Sequence, residues 1–307
     1  MFSTPIGAAR LFLTTVITLI ILKMVVGVIT GSISVWAQLA DSTLDLFAAV
    51  ITFVTVGFSA KPADYEHPFG HGKMEDIAAG IQAVLLLGAA SSISFAAIHR
   101  MINGATIQLT EWGIGVMFFS MVVSILLSRH LFRVARVTGS VALEANGHNM
   151  TGDIYSTAGV MVGLVVVRLT GLTIIDPILA LLVALLILRM AYRVGRMAIE
   201  GLLDVRLPQV EEDQIISCIK EHTDQLAGFH EVRTRKSGSQ RFIDLHLMLP
   251  KNTSVEEAHK MCDHLEQDIE SKLANASVTI HVEPCDVACG SCQVSPCSLR
   301  IGVQFSR

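Results

Sequence analysis

Two pairs of polar side chains interrupt apolar segments of this 307-residue chain. Asp41 and Asp45 lie four residues apart in QLADSTLDLFAAVITFVTVGF. Asn149 and Asp153 repeat that spacing in EANGHNMTGDIYSTAGVMVG. A spacing of four places both side chains on one face of a helix, and carboxylates at membrane depth are costly unless they meet a cation, a proton or a partner. Together the pairs predict an oxygen cage between two helices (Asp41, Asp45, Asn149 and Asp153).

The oxygen cage favours one class of ligand, because all four side chains offer oxygen and three of them are carboxylates. Hard oxygen ligands suit Mn²⁺, Mg²⁺ or Ca²⁺, whereas imidazole and thiolate favour Zn²⁺. His148 adjoins Asn149 but lies about 100° further around a helix, so it is a supporting group or proton carrier rather than a ligand. The sequence therefore predicts a divalent-metal site inside the membrane.

A structural or a proteolytic role for the membrane aspartates fits less well. A single aspartate can hydrogen-bond a neighbouring helix, but two pairs on separate spans are harder to explain in that way. An intramembrane aspartyl protease uses two aspartates, the second preceded by Gly-x-Gly. Asp153 instead follows Met150-Thr151-Gly152, and a two-aspartate dyad has no use for a second residue in each pair.

The composition is typical of a membrane protein, since 51% of the residues are hydrophobic and 16% are charged, against about 25% charged in soluble domains. No cleavage site follows the first apolar run, which predicts a retained span and no cleaved signal peptide. No basic stripe indicates a nucleic-acid partner. Six helical spans are predicted at 9–31, 33–59, 74–101, 110–136, 140–169 and 173–199. Only 77–98 is a charge-free run long enough to cross a lipid bilayer, and the other spans each contain one or two polar residues, as helices around a polar pathway do.

Basic residues are concentrated on one side of these spans, which predicts that both termini lie in the cytoplasm. That side has Arg10, Lys61, Lys73, Arg129, Arg133, Arg136, Arg189, Arg193 and Arg196. The density of charge rises near residue 205 and falls near 283. The sequence thus predicts a transmembrane transport domain at 1–205, a cytoplasmic regulatory and dimerisation domain at 206–284 and a cysteine-rich tail at 285–307.

The cytoplasmic segment predicts a small α+β domain in the order helix, strand, strand, helix, strand. RFIDLHLML and VTIHVE alternate apolar and polar residues, as strands do. Ser254 and Glu257 form a capping-box pattern at the start of the second helix. On the polar side of the second and third strands lie His246, His281 and Glu283, which could join His259 of the helix in a binuclear metal site or could be plain surface residues.

Two further groups of residues have the chemistry of soft-metal ligands. In DYEHPFGHGKMED, Asp64, His67 and His71 fit a Zn²⁺-type site, although the same segment could be a solvated turn. The tail contains thiols that suggest Zn²⁺, Fe²⁺ or an iron–sulfur centre, although idle reduced thiols in a flexible tail fit equally well. These thiols are Cys285, Cys289, Cys292 and Cys297.

Several of these motifs together resemble the cation diffusion facilitator family of proton-coupled divalent-metal exporters. They are the D-x-x-x-D of the second span, HPFGHGK after it, the x-x-x-D of the fifth span, LLDVRLP and HEVRTRKSGSQRFIDLHL. The resemblance covers residues 9–285, and the bacterial ferrous-iron/zinc exporters are the most similar branch. It implies a transporter rather than an enzyme, working as a homodimer in the plasma (inner) membrane, with protons as the counter-ion.

The resemblance also implies a role for particular positions of this chain, with a divalent ion such as Zn²⁺ bound by the cytoplasmic domain. By position, the transport site falls on Asp41, Asp45, Asn149 and Asp153. A loop metal position falls on Asp64, His67 and His71, and a cytoplasmic site falls on His230, His246, His259, His281 and Glu283. A charge interlock between protomers falls on Lys73 and Asp204.

Asn149 departs from the iron/zinc branch, which has histidine there, and resembles manganese-exporting members. An amide in place of an imidazole removes the ligand that discriminates best between Zn²⁺ and Mn²⁺. It also removes a titratable group from the site. We therefore expect Mn²⁺ to be the favoured substrate, with Fe²⁺ or Zn²⁺/Cd²⁺ efflux by the same mechanism as the alternative. A membrane metal sensor or scaffold that binds without transporting is an alternative of another class.

Overall fold

The computed structural model describes residues 3–30, 33–103, 111–170, 172, 174–222 and 226–285. The chain divides into two compact units, Met1–Leu202 and Leu203–Arg307. Six long helices make up the first unit. They are α1 (Pro5–Thr30), α2 (Ile33–Ser59), α3 (Lys73–Asn103), α4 (Glu111–Thr138), α5 (Val141–Thr170) and α6 (Ile175–Leu202).

All six helices are long and apolar enough to cross a membrane. Their ends lie close to the predicted limits, so the prediction of six spans is confirmed. Gly139 separates α4 from α5 with a φ of 72°, a left-handed conformation that glycine adopts without steric cost. Its N–H donates to the carbonyl of Ala135 at 2.7 Å, which closes the last turn of α4.

Two buried apolar clusters lie among the described residues of the first unit. One joins α1, α2, α4 and α5 with Ala78 of α3 and includes Phe12, Leu131 and Leu143. The other joins α3, α5 and α6 and includes Leu86 and Ile187. Helix α5 therefore packs into both clusters through different residues.

Small residues bring α3 and α6 close together. A Cβ placed on Gly195 would lie 3.5 Å from the Cβ of Ala83, an ordinary van der Waals distance. Close approach of this kind is a common source of helix association in lipid, where no hydrophobic force drives helices together. Arg100 and Asp176 add an ion pair of 3.2 Å between the same two helices.

The buried side chain of Glu75, 1% exposed, connects three helices of the first unit. The hydroxyl of Ser59, at the end of α2, donates to Oε1 of Glu75 at 2.8 Å. The hydroxyl of Ser140, just before α5, donates to Oε2 at 2.6 Å. Glu75 itself lies in the first turn of α3, so one carboxyl group joins the ends of α2, α3 and α5.

Replacing Glu75 by alanine should lower the free energy of unfolding of the detergent-solubilised protein by about 3 kcal/mol. The buried hydroxyl of Ser140 loses its acceptor, and that of Ser59 keeps only the Val56 carbonyl at 3.2 Å. The temperature at which the monodisperse peak in size-exclusion chromatography is lost should fall accordingly, and this temperature is the measurement. Glu75→Gln keeps one side-chain acceptor and should lose clearly less. Equal melting of Glu75→Ala and the wild type would show that this connection is dispensable.

The described residues of the second unit form two helices and a three-stranded sheet. Strand β1 pairs antiparallel with β2, and β2 pairs parallel with β3, so the sheet order is β1-β2-β3. The α+β order predicted from the sequence is confirmed. The elements are α7 (Gln209–Glu221), β1 (Gly228–Ser237), β2 (Gln240–Leu249), α8 (Val255–Lys272) and β3 (Ala276–Pro284).

Both helices of the second unit pack on one face of its sheet. Leu245 and Leu247 of β2 share a buried core with Ile219 of α7 and Leu265 of α8. Alternation along a strand then places His246 on the opposite face. Helix α8 begins at the predicted capping box, in which Ser254 and Glu257 exchange hydrogen bonds.

Candidate metal centres

The first candidate centre lies between α2 and α5, where the Nδ2 of Asn149 donates to Oδ1 of Asp45 at 3.0 Å. Asn149 is 9% exposed. Asp153 follows one turn later on α5 and is half-buried. Asp41 lies one turn before Asp45 on α2, but its side chain is outside the part of the chain that the structure describes. The structure thus brings together one residue from each predicted pair.

The polar contact between α2 and α5 continues one turn along α5. Nδ2 of Asn146 donates to the carbonyl of Ala142 at 2.8 Å and contacts the hydroxyl of Thr52. Its Oδ1 is buried without a hydrogen-bond partner among the described residues. A buried unsatisfied oxygen is rare, and this one lies one turn from a proposed ligand. Asn146 was not among the residues predicted from the sequence, although its spacing of three from Asn149 was a usable signal.

Lys23 is a second polar residue that was not predicted from the sequence. It is 8% exposed in α1, and its Nζ donates to the hydroxyl of Ser42 at 2.7 Å. Ser42 directly follows Asp41 on α2. A buried ammonium group on a neighbouring helix can offset part of the negative charge that the predicted cage would carry. The signal was a lysine inside the otherwise apolar run TLIILKMVVGVIT.

His148, predicted to stay out of the oxygen cage, is buried against another side chain. Its ring meets that of Phe132 edge to face, with 5.1 Å between centroids. A Cβ on the neighbouring Gly147 would lie 2.9 Å from Phe132, so this part of α5 packs tightly on α4. A role in supporting the cage or in carrying protons stays a prediction.

The second candidate centre is the loop cluster of Asp64, His67 and His71, between α2 and α3. Its three ligand atoms lie within 4.8 Å of one another. Oδ1 of Asp64 lies 3.1 Å from Nδ1 of His67, and Oδ2 lies 3.4 Å from Nε2 of His71. The backbone N–H of His67 donates to Asp64, which is the main cause of the lowered pKa of that carboxyl group. The carboxylate therefore stays ionised, as a metal ligand must be.

The third candidate centre is the strand cluster of His230, His246 and Glu283. His230 lies opposite His246 on neighbouring strands, and His246 lies opposite His281 on the next. Glu283 approaches Nε2 of His230 at 3.0 Å and Nδ1 of His246 at 2.9 Å. The hydrogen bond with His246, followed by that with His230, lowers the pKa of Glu283.

Two residues extend the strand cluster. Nε2 of His281 lies 3.8 Å from Glu283, and the rings of His246 and His281 have centroids 4.8 Å apart. Glu231 lies 3.8 Å from Nε2 of His246, so the imidazole has a carboxylate on each side. Glu231 could not be predicted from the sequence, because its position depends on an irregularity in the β1–β2 register between residues 230 and 233.

Of the other predicted residues, those that the structure describes are not part of these clusters. His259 is exposed on α8, 3.4 Å from Asp263, whereas Cys262 between them is buried in the core. Cys285 is buried directly after β3. The other tail cysteines, Cys289, Cys292 and Cys297, lie outside the described residues. Lys73 belongs to the first unit and Asp204 to the second, and their interlock stays a prediction.

Comparison with known proteins identifies the family. A family model described as the cation efflux transmembrane domain matches residues 9–203, and one described as the cytoplasmic domain of cation efflux proteins matches residues 207–285. The cation-efflux pump FieF of Salmonella paratyphi A is 33% identical over 269 residues, which cover 88% of this chain and 89% of that protein. The uncharacterized transporter sll1263 of Synechocystis is 31% identical over 263 residues, 86% of this chain and 85% of that protein.

Among solved structures, a chain described as the proposed zinc transporter CzrB matches 26% of this chain and 98% of its own length, with 35% identity and a TM-score of 0.25. The present chain belongs to the cation diffusion facilitator family, as its motifs implied. It is a multi-pass membrane protein for the efflux of divalent metal cations.

Proposed function

We propose that this protein exports divalent metal from the cytoplasm in exchange for protons, with Mn²⁺ as the favoured substrate. The observation that supports this most directly is the hydrogen bond from the Asn149 amide to Asp45. It joins the two helices on which the predicted ligand pairs lie. The pairs would then face one another across a single site.

The choice of Mn²⁺ rests on the donor atoms. Donation from Nδ2 to Asp45 leaves the Oδ1 of Asn149 as an acceptor for a cation. Oxygen ligands suit Mn²⁺, whereas an imidazole at this position would favour Zn²⁺. Fe²⁺ or Zn²⁺/Cd²⁺ efflux through the same site is the alternative within this mechanism.

Proton coupling would rest on the carboxylates. None of the four predicted cage residues is a histidine, so Asp41, Asp45 and Asp153 are the groups that could exchange metal for protons. A carboxylate oxygen that binds a proton is a poorer metal ligand, so protons and metal compete for the same site. Lys23, whose buried ammonium group contacts Ser42 of α2, would help an empty cage to tolerate its negative charge.

The proposed arrangement in the cell follows from charge and family. Basic residues on one side of the spans support cytoplasmic termini. The match to the cation efflux family and its pumps supports a plasma (inner) membrane location. The match to the family's cytoplasmic domain supports a homodimer.

Transport by the full chain in proteoliposomes tests the proposal. A metal-sensitive dye inside the vesicles would report entry of Mn²⁺, Fe²⁺, Zn²⁺, Cd²⁺ and Co²⁺, each with and without an imposed pH gradient. We expect Mn²⁺ to enter faster than the other metals, and we expect the pH gradient to drive its accumulation in the vesicles. Preference for another metal would refute the Mn²⁺ assignment, indifference to the gradient would refute proton coupling, and binding without flux would indicate a sensor.

The cytoplasmic strand cluster should bind metal independently of transport. In the full chain, His246→Ala combined with His281→Ala should remove about one bound Zn²⁺ per protomer, since both imidazoles lie beside Glu283. Equilibrium dialysis with metal analysis measures the loss. His99→Ala, which removes an exposed imidazole of α3, is the control. A double variant that binds as much Zn²⁺ as the control would make these histidines ordinary surface residues.

His259→Ala adds a separate test of the same site. The family resemblance includes His259, but within one protomer it lies on α8 beside Asp263. Undiminished Zn²⁺ binding by this variant would indicate that the ligands on the strands are sufficient for the site. Reduced Zn²⁺ binding would indicate that His259 is also a ligand.

A further inference from the structure

A fourth group of ligands, the helix cluster, lies on the opposite side of the cytoplasmic sheet from the strand cluster. It consists of His222, at the end of α7, and His264 and Asp268 of α8, with ligand atoms within 4.8 Å of one another. Helices α7 and α8 cover the Leu245 face of the sheet, whereas His246 lies on the other face. The two clusters are therefore separate sites.

The orientation of the His222 ring is set by its own helix. Its Nδ1 lies 3.0 Å from the carbonyl oxygen of Cys218, an acceptor, so Nδ1 is the protonated nitrogen. A backbone carbonyl in this role is typical of metal-binding histidines, because it aims the other nitrogen at the metal. Here that other nitrogen, Nε2, faces Oδ2 of Asp268 at 3.1 Å. A lone pair that faces a carboxylate requires a cation between them, either a proton or a metal.

The distances in the helix cluster fit a tetrahedral metal. Two ligands bound to Zn²⁺ at about 2.05 Å with a tetrahedral angle are about 3.3 Å apart. Oδ2 of Asp268 lies 3.1 Å from Nε2 of His222 and 3.6 Å from Nε2 of His264. One distance is slightly shorter and the other slightly longer than about 3.3 Å. The rings of His222 and His264 meet edge to face with centroids 5.1 Å apart, so both nitrogens can approach one point.

The surrounding charges also favour a cation. His222 caps the C-terminus of α7, the negative end of the helix dipole. Lys272, at the end of α8, pairs with Glu221 at 2.9 Å, so these two charges offset each other.

We propose that His222, His264 and Asp268 form a second cytoplasmic binding site for Zn²⁺ or a similar imidazole-preferring divalent ion. The protein supplies three ligands, and water completes the coordination. The bound ion would tie the end of α7 to the middle of α8. His222 is 12% exposed and His264 is 62% exposed, so the site is anchored on one side and open to solvent on the other.

The test is Zn²⁺ binding by the chelator-stripped full chain in detergent. His264→Ala should lose about one Zn²⁺ per protomer in equilibrium dialysis, whereas His99→Ala should lose none. Without metal, His264→Ala should melt at the wild-type temperature because this imidazole is exposed. With Zn²⁺, it should show a smaller rise in melting temperature than the wild type. Asp268→Asn should lose the same Zn²⁺.

Two results would overturn the proposal. One is undiminished Zn²⁺ binding by both His264→Ala and Asp268→Asn. The other is lower stability of Asp268→Asn without metal, together with wild-type Zn²⁺ binding by His264→Ala. The second result would make the cluster a simple ion pair between a protonated His222 and Asp268.

Discussion

Asp45→Ala or Asp153→Ala should abolish metal transport, reducing the rate at least about 100-fold, while leaving a folded dimer. Each change removes an anionic ligand from the proposed transport site, and Asp45→Ala also removes the acceptor for the Asn149 amide. Metal flux into proteoliposomes, with size-exclusion chromatography as the check on folding, measures the effect.

Asp176→Asn is a matched control for these aspartate variants. Asp176 is another carboxylate of the membrane unit, a buried one, but it pairs with Arg100 between α3 and α6. Its replacement should weaken that helix pair and leave most of the transport. Near-normal flux in either Asp45→Ala or Asp153→Ala would exclude the oxygen cage from the mechanism.

Asn149→His should raise the ratio of Zn²⁺ to Mn²⁺ transport roughly tenfold, a difference of about 1.4 kcal/mol in relative stabilisation. The imidazole would supply the nitrogen ligand that Zn²⁺ and Cd²⁺ prefer over Mn²⁺. Competition between the two metals in the same vesicles measures the ratio directly.

Asn149→Gln separates the effect of the imidazole from the effect of any change at this position. It keeps the amide and should not raise the Zn²⁺/Mn²⁺ ratio, even if the longer side chain slows transport. An unchanged ratio in Asn149→His would mean that position 149 is not a ligand and that selectivity arises elsewhere.

Local patterns were sufficient to predict the elements of both units. Apolar length predicted the six membrane helices, and alternation predicted that Ile243, Leu245 and Leu247 face a core, where all three are buried. The capping box between Ser254 and Glu257 could also be predicted, because both residues lie in the same turn of chain. Each of these predictions depends on neighbours in sequence.

Contacts between elements were harder to predict, since they depend on how helices and strands pack. The spacing of four predicted each ligand pair, but the contact of Asn149 with Asp45 requires α2 and α5 to be neighbours in a particular rotation. The position of Glu231 depends on a strand irregularity. His222 and His264 are far apart in sequence and meet because α7 and α8 pack on the same face of the sheet.

The double packing of α5 has a consequence for how tightly metal could be held. Leu143 of α5 belongs to the cluster formed mainly by α1, α2, α4 and α5, whereas Ala145 belongs to the cluster of α3, α5 and α6. A rearrangement that moves one group of helices against the other must disturb one of these two packings.

A metal that bridges Asp45 and Asn149 would stabilise every arrangement that keeps α2 against α5 and would be released from arrangements that separate them. By linkage, a tenfold difference in metal affinity between two arrangements changes their relative free energy by about 1.4 kcal/mol. Core substitutions at Leu143 or Ala145, which are not themselves candidate ligands, can therefore change metal affinity through the packing equilibrium.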